Sequence, residues 1–237
     1  IFMTLLRKIK DQEAVIAVIG LGYVGLPLSF AFLEKGFKVI GLDTDASKVK
    51  LLSKGKSYFK HIDSKNLPSY VNSKKFIASC DFQKIKKADV IIICVPTPLN
   101  KFREPDLTPV MDSASKIKDF LKKDQLVILE SSTYPGTTDE LLSGELEKSS
   151  LRANKDFYLA YSPEREDPGN KRYNTSTIPK IVGADTLKSR NLAVSLYKQV
   201  ISEVVSVSSS RAAEATKLTE NIFRSVNIAL VNELKTI

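Results

Sequence analysis

Histidine, cysteine and long apolar runs are scarce in this chain, and each scarcity narrows what it can be. One histidine, His61, occurs in 237 residues. It falls in a polar stretch where a loop position is expected rather than a catalytic base, and no metal site is expected. The two cysteines, Cys80 and Cys94, are too few for a disulfide framework. Both are expected to be reduced, in a cytoplasmic protein. Cys94 falls inside a buried strand and Cys80 in a polar turn. No apolar run approaches the ~20 residues that a membrane-spanning helix needs. The opening IFMTLLRKIK runs apolar and then basic, the reverse of a secretory signal, and Met3 is the expected natural start. There is no internal repeat and no low-complexity linker.

The hydrophobic content of 43% and charged content of 27% are those of a soluble globular protein. The length suits one large domain, or one domain plus a piece. The net charge of +9 raises the question of nucleic acid. A nucleic-acid binder gathers its cations on one face or in one run. Here they are scattered, as at Lys48, Lys54, Lys84, Lys87, Lys122 and Lys123, where helices are expected to face solvent. Neither nucleic acid nor membrane is expected as a partner. A basic surface would also suit a doubly anionic diphosphate.

The strongest positive signal lies near the front. Ala14 to Ile19 is a continuous apolar run, short and rich in β-branched residues, as in a strand buried on both faces. Gly20-Leu21-Gly22-Tyr23-Val24-Gly25 follows at once, and an apolar helical pattern then opens at Leu26. Strand, Gly-x-Gly-x-x-Gly and helix form the context of a dinucleotide site. Gly20 allows the tight turn, Gly22 the approach of a pyrophosphate, and Gly25 the close packing of helix on strand. The helix N-terminus offers N–H groups and a positive dipole end to phosphates. A second apolar strand, Phe37 to Asp43, ends in an acid. Asp43 lies about 20 residues past the glycines, where a carboxylate accepts from a ribose 2′-hydroxyl and repels a 2′-phosphate. The cofactor implied is NAD rather than NADP.

Strand and helix then alternate, which implies a doubly wound, mainly parallel sheet of Rossmann type. Further strands are expected at 75–78 (weak), 89–95, 125–130, 157–161, 180–183 and 203–207. Helices are expected at 46–53, 107–122, 137–148 and 186–200, with Thr108 as N-cap and Pro109 in the first helical position. Residues 54–75 read as an irregular excursion. From Ser209 to Ile237 the pattern is helical without a break, with an apolar surface wider than one stripe, which expects burial against more than one partner. Three clusters of turn residues fall at strand ends: Pro96-Thr97-Pro98, Glu130 to Gly136, and Tyr161 to Asn170. One such cluster is commonly only a turn, but three at the carboxyl edge of one sheet indicate a pocket.

With these segments in view, GLGYVGLPL, VPTP, SSTYPGTT, YSPEREDPGN and TKLTENIFRSVNIALVNEL together resemble the nucleotide-sugar 6-dehydrogenases, which act on UDP-glucose, UDP-N-acetylglucosamine and UDP-N-acetylmannosamine. The resemblance runs from about residue 13 to the end, and SPEREDPGN resembles most the branch acting on UDP-N-acetylhexosamines. It implies a UDP-sugar substrate oxidised at C6 from alcohol to acid, with two NAD reduced and the aldehyde held by a cysteine as a thiohemiacetal and then a thioester. Cofactor contacts are implied at Gly20, Gly22, Tyr23, Val24, Gly25, Asp43, Val95, Pro96, Thr97 and Thr133. Thr133 matches a threonine that helps hold a catalytic water. Glu164 matches the acid of the Ser-Pro-Glu motif. Lys217 matches a lysine that stabilises negative charge on the substrate oxygen, and Asn221 the asparagine beside it, four residues on and on the same helix face.

The chain departs from the pattern in two places. Pro168 stands where the UDP-glucose branch has a second glutamate, which leaves the roles of Glu166 and Asp167 open. The family's nucleophilic cysteine lies in a C-terminal sugar-nucleotide domain past the long helix, and neither Cys80 nor Cys94 matches it. The expected organisation is a tail over 1–12, an NAD-binding domain over 13–208 and the start of a central helix over 209–237, through which the family dimerises. Alternatives are UDP-glucose oxidation, a 3-hydroxyacid dehydrogenase sharing the fingerprint and the Lys/Asn helix, and a non-catalytic NAD-binding module.

Overall fold

The apolar runs become eight strands of one sheet. A computed structural model describes residues 2–59, 65–164 and 178–236. The strands are β1 (Val15–Ile19), β2 (Lys38–Leu42), β3 (Phe76–Ser79), β4 (Val90–Ile93), β5 (Leu126–Leu129), β6 (Tyr158–Tyr161), β7 (Lys180–Gly183) and β8 (Val204–Val207). Their order is β3-β2-β1-β4-β5-β6-β7-β8. All neighbours are parallel except β6 and β7, which meet antiparallel at Tyr161 and Gly183.

Side chains alternate across this sheet and feed two cores. Ile16, Val18, Ile92 and Ile128 face one side with Leu26, Phe32 and Tyr197. Ala17, Ile19, Ile93 and Leu129 face the other with Val110, Ile117 and Leu146. Burial on both faces explains why the central strands read as unbroken apolar runs.

The helices are α1 (Phe2–Lys10), α2 (Gly25–Glu34), α3 (Ala46–Ser53), α4 (Leu67–Asn72), α5 (Thr108–Lys118), α6 (Ser143–Glu147), α7 (Leu187–Tyr197) and α8 (Ser210–Leu234). Four differ from expectation. Residues expected as a tail form α1, because Leu5 and Ile9, one turn apart, are buried in the first core. The excursion after α3 contains α4, which opens with a proline in its first turn and buries Leu67. In α5 the cap lies one residue earlier than expected. Leu107 takes the N-cap position, and the Thr108 N–H donates to Asp106 Oδ1 at 2.9 Å. The helix expected from Thr137 begins as a wide π-type turn over Thr137–Leu142 before α6. His61, Glu166, Asp167 and Pro168 lie outside the described residues.

The chain runs outward from β1 through β2 to β3 and then returns to place β4 on the other side of β1. Where the strand order reverses, the two crossover connections part and leave a crevice above the carboxyl ends of β1 and β4.

Candidate nucleotide site

The glycine turn forms the floor of that crevice. Gly20 takes φ +89°, a left-handed conformation, and a Cβ there would stand 2.7 Å from the Cys94 carbonyl oxygen. Its N–H donates to Leu42 O at 2.8 Å, which ties the turn to β2. A Cβ on Gly25 would lie 1.9 Å from Gly20 O, so the start of α2 rests directly on the turn. At Gly22 the position of a Cβ is open, with nothing within 4 Å. α2 begins without a side-chain cap at Val24, and since Leu26 N–H donates to Gly22 O at 3.1 Å and Pro27 has none, the N–H groups that would meet an anion are those of the turn up to Gly25.

Asp43 closes the turn from the β2 side. It is 8% exposed, and its carboxylate accepts from Leu21 N at 2.8 Å and Asp45 N at 2.9 Å. Each oxygen keeps a second lone pair for a hydroxyl of a ligand. The Tyr58 hydroxyl donates to Leu21 O above it. Burial, and then the charges of Asp43 and Asp45, push the Tyr58 hydroxyl well above the usual phenol range, so it remains a donor.

A cleft of about 620 Å³ runs from Asp43 and Lys48 across Gly20 and Gly22 to Thr97, Ser132 and Glu164. Tyr23, Val24, Val95 and Pro96 also line it. At its far end two loops are pinned together. Thr97 Oγ1 donates to Ser132 O at 2.8 Å, and Ser131 Oγ donates to Val95 O at 2.7 Å. The shape fits NAD. The open Gly22 leaves room for a pyrophosphate against the turn N–H groups at the mouth of α2, and an acid waits at the ribose position.

The other expected residues divide. Gly25 does not line the cleft and supports the turn from behind. Thr133 is also set back, 8% exposed and beside the Tyr161 hydroxyl. Lys217 on α8 reaches across to donate from Nζ to the backbone carbonyl of Glu164. Asn221, one turn further on, is exposed and does not line the cleft. Cys94 is 7% exposed and lies in the floor, whereas Cys80 is exposed and away from it.

Sequence reasoning passed over a buried charged group beneath the far end. Glu130, which follows β5, is 1% exposed. Its Oε1 accepts from Lys180 Nζ at 3.2 Å and from the Tyr197 hydroxyl, and among the described residues Oε2 has no partner. Burial pushes the Glu130 carboxyl up, and the Lys180 ammonium pulls it back. Burial opposes the Lys180 charge, but Glu130 and then Glu164 hold its pKa above the ordinary lysine value. A signal did exist, since an acid closes one wholly apolar strand and a lysine opens another.

A profile of the UDP-glucose/GDP-mannose dehydrogenase family, NAD binding domain, matches residues 14–201. The chain belongs to this family. Its cofactor is NAD. Over 230 residues the chain is 40% identical to the UDP-N-acetyl-D-glucosamine 6-dehydrogenase of Pseudomonas aeruginosa, with 96% of this chain and 53% of that protein covered. The structure of the UDP-D-ManNAc dehydrogenase of Pyrococcus horikoshii aligns with a TM-score of 0.85 at 35% identity, covering 92% of this chain and 52% of that one. The NDP-N-acetyl-D-galactosaminuronic acid dehydrogenase of Methanosarcina mazei aligns at 0.84 and 33% identity, covering 97% and 52%. The chain therefore spans about half the length of the relatives it matches. Membership sets aside the 3-hydroxyacid dehydrogenase reading.

Proposed function

We propose that this domain is the NAD-binding half of an enzyme that oxidises the C6 alcohol of a UDP-N-acetylhexosamine to the acid in two hydride transfers. NAD, when bound, supplies the hydride acceptor. The observation that carries the reading is the single cleft joining the glycine turn and Asp43 to the VPTP and SSTYPGTT loops and Glu164. Asp43 and the first turn of α2 hold the adenosine and pyrophosphate end, which directs the reactive end toward Thr97, Ser132 and Glu164. There Lys217, already docked on the Glu164 carbonyl, places a cation at the rim, where negative charge would develop on a substrate oxygen. Glu164 is the candidate base, Thr133 the residue that helps hold a water, and Asn221 a partner of Lys217 on the helix. The nucleophilic cysteine is supplied from outside these residues, since Cys94 lies in the cofactor floor and Cys80 apart from it. On its own the domain binds NAD and does not complete the oxidation.

The same reading makes the protein cytoplasmic and dimeric through α8. Ile222, Phe223, Val226 and Leu230 stand 54%, 71%, 61% and 55% exposed on that helix. Among the described residues, no helix is long and apolar enough to cross a membrane.

Calorimetric titration with NAD and NADP, on the wild type and on Asp43→Ala, tests the cofactor half of the proposal. Micromolar NAD binding, weaker NADP binding and a loss of at least about tenfold in the variant are expected, since both the ribose acceptor and the anchor of Leu21 disappear. NADP binding as tight as NAD binding in the wild type would refute the assignment of Asp43.

A further inference from the structure

A second buried carboxylate, on α8, has no part in the chemistry described above. Glu214 is fully buried, and its Oε2 accepts from Gly136 N at 2.8 Å. Its Oε1 accepts from Thr138 N at 2.9 Å and from Thr138 Oγ1 at 2.6 Å. All three donors belong to the loop after β5. That loop begins with Ser131 and Ser132 in the wall of the cleft and includes Thr133. In front it is tied to the VPTP turn by Ser131 Oγ and Thr97 Oγ1. Behind, it is tied by Glu214 and, at the longer distance of 3.4 Å, by the Tyr161 hydroxyl, which donates to Ser131 O. Three residues on, Lys217 holds the carbonyl of Glu164, which also lines the cleft. The first turns of α8 thus grip two segments that line the far end of the cleft, after β5 and after β6, and make none of these contacts at the adenosine end.

We propose that Glu214 is a positioning residue for the nicotinamide half of the cofactor, acting through the loop 131–138. The proposal rests on the cofactor placement given under Proposed function. The chemistry requires an acceptor with no hydrogens of its own. Gly136 takes φ +100°, which fixes the direction of its N–H, and both Thr138 donors aim at the same oxygen. Glutamine has the same shape, but its –NH₂ must face either the Gly136 N–H or the paired Thr138 donors, and donor then meets donor. The loop must shift, and the wall formed by Ser131 and Ser132 shifts with it. Asp43, Gly22 and the N-terminus of α2 are anchored elsewhere and keep their places.

The test is a titration of this chain with NAD and with ADP-ribose, which has the same adenosine and diphosphate but no nicotinamide. Wild type is expected to bind NAD more tightly than ADP-ribose. Glu214→Gln should weaken NAD about thirtyfold, the loss of one charge-assisted hydrogen bond, while ADP-ribose stays within about twofold. Retained ADP-ribose binding shows that the variant is folded. Thr138→Val removes one of the three donors and keeps the carboxylate, and it should weaken NAD about threefold with ADP-ribose unchanged. A ratio of NAD to ADP-ribose affinity that stays at the wild-type value in Glu214→Gln overturns the proposal. If Glu214→Gln fails to fold, the same result in Thr138→Val overturns it. Equal affinities in the wild type would instead refute the cofactor placement, and the proposal with it.

Discussion

Gly22 and Gly25 stand three residues apart in one motif, and the structure separates their duties. Gly22 has open space where a Cβ would be, and its φ lies outside the left-handed region. Gly22→Ala should therefore fold normally and gain about 0.5 kcal/mol, because alanine restricts the unfolded chain. Its cost should fall on the ligand. A methyl group aimed into the cleft keeps the diphosphate away from the N–H groups of α2. Losing one charge-assisted bond of about 2 kcal/mol weakens NAD about thirtyfold. Gly25→Ala should behave in the opposite way. Its Cβ would lie 1.9 Å from Gly20 O and 3.1 Å from Val18 Cγ1. Close carbon–oxygen contacts normally begin near 3.3 Å, so α2 must retreat by more than about 1 Å. Both atoms at the worst contact belong to the main chain or to Cβ, and no rotamer change relieves them. Retreat loosens Leu26, Leu28 and Phe32, all buried beneath the helix. The expected loss is about 3 kcal/mol, at the upper end for overpacking. Urea midpoints and NAD titrations on the two variants read stability and binding separately. If Gly25→Ala kept the wild-type midpoint, or if Gly22→Ala bound NAD normally, the steric reasoning would fail.

Two further outcomes follow from buried charge and exposed apolar surface. Lys180→Met leaves Glu130 buried without its cation and should cost about 3–5 kcal/mol at pH 8. Burial already raises the Glu130 carboxyl. A raised carboxyl holds more protons in the folded than in the unfolded chain, so stability falls as pH rises above the ordinary carboxyl value. The penalty of Lys180→Met should therefore be smaller at pH 5 than at pH 8, and Glu130→Gln added to it should restore much of the loss. Equal penalties at the two pH values in urea melts would contradict this account. On α8, Val226→Glu should convert a self-associating chain to monomer in sedimentation velocity without moving the NAD affinity. A wild-type chain that sediments as a monomer at micromolar concentration would dispose of the helix as a dimer contact.

The parts of the fold visible in the sequence are those in which a local requirement leaves a local trace. β1 and β4 are buried on both faces and so read as apolar runs. Gly20 and Gly25 are constrained by atoms within a few residues or on the adjoining strand, and Asp43 ends its own strand. Where the requirement is tertiary, the trace is faint. α4 buries only Leu67, too few to show a helical period, whereas in α1 the period is there to read, since Phe2, Leu5, Leu6 and Ile9 repeat at i, i+3, i+4 and i+7 and pack on the first core. The wide turn at 137–142 looks like ordinary helix in one dimension. Glu214 lies 78 residues from Gly136, and Glu130 lies 67 residues from Tyr197, so neither acid reveals its partner by spacing. Lys217 was found only through a resemblance, since a lysine on a polar helix face otherwise reads as solvated.

α8 is also a rod with its fulcrum at one end. Its 25 residues make it about 37 Å long, and its buried residues, Ser210, Ala213 and Glu214, all lie in the first two turns. With the pivot at Ser210, Glu214 sits on an arm of about 6 Å and Leu234 on one of about 36 Å. Motion at the tip reaches Glu214 reduced about sixfold. A sway of about 3 Å at the tip becomes about 0.5 Å at the carboxylate, within the reach of a hydrogen bond. A swing of about 10 Å exceeds that reach, so this geometry damps small disturbances from the exposed end and passes only large ones to the loop that walls the cleft.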